Sequence, residues 1–368
     1  MAEGVDKILT MLLDEDVSDI HFKVNHAPIV RISGRIVHSQ DFNALGPDHV
    51  DRIARDLMTE KQIKDYERGE EVDLAHSVPG KARFRVNIFH QRGSPAIVMR
   101  KIPFEIPEME DLGLPMVVKD IALEQRGLVL VTGATGSGKS TTLASMIEHI
   151  NCNRETHIVT IEDPIEFIHT DELASICQRE VGIDTPNWHS ALRSVFRQDP
   201  DVILIGEMRD KETASVALTG AETGHLVMST LHTLDAQETV NRIIDLFSAA
   251  QQMQVRVQLG GLLKAVISQR LLPSPDGESR VLAAEVMLHT ALMQDCISNP
   301  EKTASIRDMM DESGEKYGMQ TFDMALIKLL SENKIDTETA LAAATNPTTL
   351  QLKLDGVQKI SEWEQRGP

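Results

Sequence analysis

Cysteine is scarce. The 368 residues hold three, Cys152, Cys177 and Cys296, far apart and odd in number. A disulfide framework or a cysteine-rich zinc site is therefore not expected, and a reducing cytoplasm is. Long apolar runs are also missing. None approaches the roughly 18 residues that cross a bilayer, so no membrane span is expected. Charges are scattered through Met1 to Leu13, which is not the pattern of a signal peptide. Positive charge is in deficit: 37 Lys and Arg stand against 56 Asp and Glu, a net charge of −19. That balance argues against a nucleic-acid motor, which carries a basic face. Internal repeats and low-complexity tracts are absent. What is present is a soluble globular composition, 41% hydrophobic and 25% charged, in a chain long enough for two domains.

The most informative stretch runs from Leu128 to Leu143. An apolar run, Leu128-Val129-Leu130-Val131, reads as a buried strand. Gly133-Ala134-Thr135-Gly136-Ser137-Gly138-Lys139-Ser140-Thr141 follows, in the G-x-x-x-x-G-K-S form that cradles phosphates. The glycines let backbone N–H groups turn inward, and the helix behind the loop adds its free N–H groups and partial positive charge. Lys139 then reaches the β- and γ-phosphates, and the Ser140 hydroxyl ligates Mg²⁺. Leu143, Met146, Ile147 and Ile150 recur at helical spacing. A glycine-rich turn without a ligand is the alternative, but it does not explain the complete motif with both flanks.

Before this loop the chain reads as a small α+β region. A short helix over 5–13 leads to a strand at Ser18–Val24. Ile29–Ile32 and Arg35–Val37 form a hairpin around Ser33-Gly34, and a charged helix runs from about Pro47 to Arg68. Strands at Glu71–His76, Ala82–Phe89 and Ala96–Lys101 follow. In the second of these, Arg83, Arg85 and Asn87 alternate with apolar residues and so share one face. Arg100 closes the next strand. The residues leave two readings open: a solvated strand face, or a basic face that meets phosphate. Ile102 to Pro115 holds three prolines and reads as a linker.

Beyond the linker, strands and helices alternate, which implies a parallel sheet covered on both faces. Its expected strands are Leu128–Thr132, Ile158–Ile161, Val202–Ile205 and Leu226–Thr230. Polar residues gather where these strands end, which is where doubly wound folds bind ligands. Glu162-Asp163-Pro164-Ile165-Glu166 supplies carboxylates able to hold Mg²⁺ directly or through water. Gly206-Glu207-Met208-Arg209-Asp210 ends another apolar strand, and Glu207 is placed to orient or deprotonate an attacking water. His232 follows the next strand and leaves two readings open: a structural histidine, or one that senses the γ-phosphate or the catalytic carboxylate. Two amphipathic helices come next, the first with Val240, Ile243, Ile244 and Phe247 on its stripe and Arg242 off it, the second over about Gln251–Arg270. A last strand is expected at Val281–Leu288. The remainder is helical, with Phe322, Ala325, Leu326 and Leu329 at core spacing and Leu350, Leu352 and Leu354 ending the packed part.

The segments GATGSGKST, TIEDPIEF, DPDVILIGEMRD and AETGHLV…TLHT, with the N-terminal ARFRVN and the late GMQT, resemble in order and spacing the secretion-superfamily ATPases. These are the hexameric motors of type IV pili and type II secretion, and the likeness is greatest to the pilus retraction branch. The resemblance implies an α/β fold: a PAS-like N-terminal α+β domain (1–103), a linker (104–118), a RecA-like P-loop ATPase core (119–290), C-terminal helices (291–355) and a weakly ordered tail (356–368). It implies ATP and Mg²⁺ as cofactors, held on the core and closed over by the N-terminal domain. Carried over residue by residue, Lys139 and Ser140 act in the phosphate loop, Glu166 in the acidic box near Mg²⁺, and Glu207 as the catalytic carboxylate. His232 falls in the histidine box and Arg242 at the arginine position after it. Arg83, Arg85 and Arg100 lie on the strands whose arginines meet the nucleotide phosphates. The implied partners are five further copies of the chain, an inner-membrane pilus platform protein and a paralogous pilus ATPase, with no nucleic acid. The implied location is the cytoplasm, peripheral at the inner face of the cytoplasmic membrane.

Two departures bear on the branch. No four-cysteine zinc motif follows Arg270-Leu271-Leu272-Pro273, unlike in extension and secretion motors. The A-I-R-N-L-I-R-E motif of retraction ATPases is replaced by Ala291-Leu292-Met293-Gln294-Asp295-Cys296-Ile297-Ser298, which lacks both arginines. An accessory paralogue that acts through a partner ATPase is therefore the second reading.

Overall fold

A computed structural model of the chain describes residues 3–13, 17–32, 34–103 and 105–355, with only the backbone of Glu3 and Glu315. The expected tail, 356–368, lies outside the described residues. The chain divides into two compact units: Met1–Glu105 together with Pro164–His169, and Ile106–Asp163 together with Thr170 onward.

The first unit runs α1 (Glu3–Leu12), β1 (Val17–Lys23), β2 (Ile29–Ile32), β3 (Arg35–His38), α2 (Pro47–Leu57), α3 (Glu60–Glu67), β4 (Val72–Val78), β5 (Ala82–Gln91) and β6 (Ser94–Ile102). Its six strands form one antiparallel sheet, ordered β3-β2-β1-β6-β5-β4. Alternation places Ile20, Phe22, Phe84, Val86, Ile88, Ile97 and Met99 in one core with Val5 and Leu9 of α1 and Val50 and Ile53 of α2. The single helix expected over 47–68 is two helices. Thr59 is the reason. Its hydroxyl accepts from the Gln62 N–H while the Gln62 side chain accepts from the Thr59 N–H, a capping box that starts a new helix.

The polar face of this sheet carries a cross-strand row. Arg31 and Arg100 are the register partners of Asp19, and Arg85 is the partner of Arg100. The Asp19 side chain is only 7% exposed. It accepts from Arg100 Nε at 2.9 Å, and Arg31 Nε lies 3.4 Å from its other oxygen. Burial pushes the Asp19 carboxyl up, but hydrogen bonds from Arg100 and Ser18 and the two arginine charges together hold it below its usual value.

The second unit runs α4 (Val117–Ala122), β7 (Gly127–Gly133), α5 (Lys139–Asn153), β8 (His157–Glu162), β9 (Ser175–Glu180), α6 (Trp188–Val195), β10 (Val202–Ile205), α7 (Lys211–Glu222), β11 (Leu226–Leu231), α8 (Ala236–Asp245), α9 (Ala249–Leu262), β12 (Leu263–Pro273), β13 (Arg280–Leu288) and α10 (Ala291–Ser298). A 3-10 turn (Pro300–Ser305), α11 (Ile306–Tyr317), α12 (Phe322–Ser331), α13 (Thr337–Ala343) and a helix over 347–355 complete it. The sheet order is β13-β12-β7-β11-β10-β8-β9. All pairs are parallel except β12 with β13.

Every residue of β7, β10 and β11 is buried. Successive residues enter opposite cores. Val129, Val131, Leu204 and Met228 pack with Leu143, Met146, Ile147 and Ile150 of α5. Leu128, Leu130, Ile203, Ile205 and Val227 pack with the helices on the other face. Met109 and Leu114, in the proline-bearing stretch, are buried in the first of these cores.

The second unit differs from expectation at three further points. The helix expected over 251–270 ends at Leu262, and Leu263–Pro273 is a strand inserted between β7 and β13. Strand β9 was not expected. Leu350 is fully buried, but Leu352 is 68% exposed and ends no core.

Replacing Asp19 by Asn removes the charge that both arginines face. The expected loss is about 1–2 kcal/mol in chemical unfolding at neutral pH. Because the folded-state carboxyl is held below its unfolded value, this stability is present above the ordinary Asp pKa. It is lost as the pH falls through the depressed folded value, so the gap between wild type and D19N must close there.

Candidate active site

The loop Gly133–Ser140 joins β7 to α5, and three of its glycines have conformations that side chains disfavour: Gly133 at φ 141°, Gly136 at 78° and Gly138 at 91°. Gly133 has a second constraint. A Cβ there would lie 2.5 Å from both the Gln269 carbonyl oxygen and the Ser137 hydroxyl. Lys139 opens α5 and is folded over the loop, its Nζ donating to the carbonyls of Gly133 at 2.8 Å and Ala134 at 3.0 Å. Ala134, Thr135 and Gly136 are exposed at the tip, and Ser140 and Thr141 are half-buried in the first helical turn. That turn contains no acidic residue, so its N-terminal dipole is uncancelled. Ser137 is buried, and its hydroxyl has no hydrogen-bond partner among the described residues. An unmet buried hydroxyl inside a glycine cradle with a lysine above it fits a phosphate group.

The neighbouring strand ends are tied together by backbone. The Gly206 N–H donates to Ile161 O at 2.9 Å, the Met208 N–H to Thr230 O at 2.9 Å, and Thr230 Oγ1 to Gly206 O at 2.7 Å. This lattice fixes Glu207. Its Oε2 accepts from Arg209 Nε at 2.7 Å, and its Oε1 lies 3.3 Å from His232 Nε2. The hydrogen bond to Glu207 also raises Arg209 above its ordinary value. Glu207 is thus a carboxylate held between a guanidinium and an imidazole, a geometry suited to orienting a water and taking its proton. Glu162 accepts from Thr160 Oγ1 at 2.6 Å and from Gln178 Nε2 at 3.2 Å. Asp210 accepts from the Thr213 N–H and is the N-cap of α7.

The second unit therefore holds the phosphate loop, Glu207 and His232. Arg242 is exposed in the last turn of α8, and it has no ion pair among the described residues. Glu166, Arg83, Arg85 and Arg100 belong to the first unit. There Glu166 and Arg85 are exposed, Arg83 donates to Ser77 Oγ at 3.3 Å, and Arg100 pairs with Asp19.

Two site residues escaped the sequence reading. Arg209 lies two positions after Glu207 and pairs with it. Gln269 is buried on β12, donates from Nε2 to Thr142 Oγ1 at 2.6 Å, and is the register partner of Gly133. The Gly260-Gly261 pair, a helix-stopping signal ahead of the β-branched Val266-Ile267, could have revealed this strand.

Comparison with known proteins gives the family. Residues 1–344 match the family described as type II/IV secretion system protein. The chain is 43% identical over 343 residues to the type IV pilus retraction ATPase PilT of Pseudomonas aeruginosa, covering 93% of this chain and 98% of that one. It is 41% identical over 349 residues to the type IV pilus ATPase PilU of the same organism, covering 95% and 91%. Among solved structures, the pilus retraction motor PilT with bound ADP superposes at a TM-score of 0.85, with 43% identity over 94% of this chain and 98% of that one.

Gly133→Ala tests the cradle. The added methyl group must displace the Ser137 hydroxyl or the β12 backbone. Calorimetric titration with ADP should show affinity lowered by at least about tenfold, the equivalent of one lost charge-assisted phosphate contact. Unaltered ADP binding would mean that the loop does not close on phosphate as described.

Proposed function

The chain belongs to the type II/IV secretion system protein family, and from that premise we propose that it is an ATP-hydrolysing motor that drives retraction of a type IV pilus. The observation that carries the reading is Glu207, poised between His232 and Arg209 in the same unit as a complete phosphate loop. The loop N–H groups and Lys139 bind the β- and γ-phosphates. The Ser140 hydroxyl and Glu166 are the groups proposed to hold Mg²⁺, which when bound neutralises charge on the phosphate oxygens. Glu207 orients a water and accepts its proton, and His232 feels the change of charge through Glu207 Oε1. Arg83, Arg85, Arg100 and Arg242 are proposed as the cations that meet the charge developing on the transferred phosphoryl group.

The motor is further proposed to work as a homo-hexamer in the cytoplasm, at the inner face of the membrane, against a pilus platform protein. No described helix is long and apolar enough to cross a membrane, so that attachment would come through a partner.

One observation favours a second reading, an accessory subunit acting through a paralogous retraction ATPase. The positions where the retraction motif carries arginine are here Met293, 0% exposed, and Ile297, 1% exposed, both inside the main core. No charged pair projects from α10 at those sites.

Glu207→Gln should lower ATP turnover by about 100-fold or more while ADP affinity stays within about threefold. Turnover at the wild-type rate would remove Glu207 from its assigned role. Assaying the wild-type chain alone and mixed with a retraction ATPase separates the two readings. A self-sufficient motor turns over alone at a rate the partner does not change, whereas an accessory subunit gains rate only in the mixture.

A further inference from the structure

Glu285 on β13 is almost wholly buried, 4% exposed, and the catalytic reading above does not use it. It stands between two helix starts. Its Oε1 accepts from the Ala236 N–H at 2.9 Å, the first residue of α8, and the Phe322 N–H, at the first residue of α12, favours the charged form of the carboxyl. Thr321, the residue at the α12 cap position, makes no side-chain cap hydrogen bond. Glu285 therefore bonds the first N–H of α8 and turns its charge toward the positive ends of two helices.

The start of α8 is also where the histidine loop is fastened. Thr233 is buried and its hydroxyl lies 2.7 Å from Thr239 Oγ1. The Leu234 N–H donates to Glu238 Oε2 at 2.8 Å, and Asp235 accepts from the Glu238 N–H at 2.7 Å. His232, which faces Glu207, is next to Thr233 in sequence, so whatever fixes the first turn of α8 fixes the approach of the imidazole. On its other side Glu285 is continuous with the GMQT segment. Val286 and Gln320 exchange backbone hydrogen bonds at 2.7 and 3.0 Å.

We infer that Glu285 is a positioning residue for ATP hydrolysis, an ionised clamp that holds the histidine loop and the C-terminal helices in one arrangement. The inference rests on the proposed ATPase role of Glu207 and His232. The charged groups facing the clamp are Asp235 from α8 and Arg270 from β12. Asp323 on α12 and Arg307 on α11 bear on Arg270 in turn. Burial, followed by the Asp235 charge, pushes the Glu285 carboxyl up to about 7, against the pull of the two N–H groups and Arg270. The sign follows. A carboxyl raised above its unfolded value favours the fold most when protonated, and that advantage disappears as the pH climbs to the folded value. Yet the ionised form binds the two helix starts more strongly. Stability and clamping therefore move in opposite directions with pH, which an ordinary packing residue does not do.

The test compares the full-length wild type with E285Q, which keeps size and one acceptor but no charge. At saturating ATP and about pH 8, kcat of the variant should be lower by roughly tenfold, the scale of a small misplacement of a catalytic group, with KM unchanged. The ratio of wild-type to variant kcat should fall toward one by about pH 6, where both carry a neutral side chain. Taking the ratio cancels every pH dependence that both proteins share. The melting temperature of E285Q at pH 8 should be no lower than that of wild type. A ratio independent of pH, or a parallel loss of stability and rate, overturns the clamp. Hydrogen exchange decides the question without catalysis or mutation. Protection of the Ala236 amide, corrected for the intrinsic rate, should drop in wild type as the pH falls through about 7. Constant protection overturns the inference even if the chain hydrolyses no ATP, whereas lost turnover with the expected protection counts against the ATPase role alone.

Discussion

The close approach of two backbones at Gly133 governs the second unit. The last residue of β7 lies so near the Gln269 carbonyl that no side chain fits between them. The loop therefore leaves the sheet against β12 rather than over open solvent, and Gln269 can reach Thr142 in the first turn of α5. The next residue of the same strand points the other way. The Arg270 guanidinium lies 3.7 Å from the centre of the Phe322 ring and donates to the Ala343 carbonyl. Adjacent residues of a strand face opposite sides of the sheet. In β12 that alternation places a nucleotide-loop contact and a C-terminal contact one residue apart. Burial lowers the Arg270 pKa, so its charge is held by π and carbonyl contacts rather than by water.

Glu207 depends on the same economy. Glu207 follows a strand of only four residues, all buried. Its position is set by backbone bonds from Gly206 and Met208 to β8 and β11, not by a flexible loop. Gly206 has little room as well, because a Cβ there would lie 3.2 Å from Ile161 O. A side chain displayed from a bonded strand end gives up little entropy when it meets a water, which is the advantage of building a site on rigid elements.

What was legible in the sequence is what is local. The phosphate loop, Glu207 and His232 follow from contiguous motifs on strands whose apolar runs are unmistakable. The break at Thr59 was written there too, as the capping box Thr-x-x-Gln, but the stretch was read through as one helix over 47–68. The strand at Leu263–Pro273 was not. A run of Leu, Ala, Val and Ile continuing a helical pattern satisfies helix and buried strand equally, and only its place between β7 and β13 decides. Gln269 was hidden by that misreading. Glu285 was hidden for another reason: its hydrogen-bond partner is 49 residues away, at the start of a helix with a cap of its own.

The altered stretch at Ala291–Ser298 shows why motif loss and fold loss differ. An arginine pair at positions 293 and 297 would share a helix face, four residues apart. Here that face is Met293 and Ile297, and it is packed into the core with Cys296. The helix sits hard against α9, where a Cβ on Gly260 would meet Ser298 Oγ at 2.7 Å and Gln294 O at 3.1 Å. Close backbone contact with apolar residues on the buried face makes α10 a brace, fixed whether or not a partner is engaged. A charged face in the same place would have to be solvated or paired by something outside the core. The buried face of α10 thus stabilises the chain by its own packing. The phosphate loop and Glu207, which lie at the far ends of other strands, are left intact.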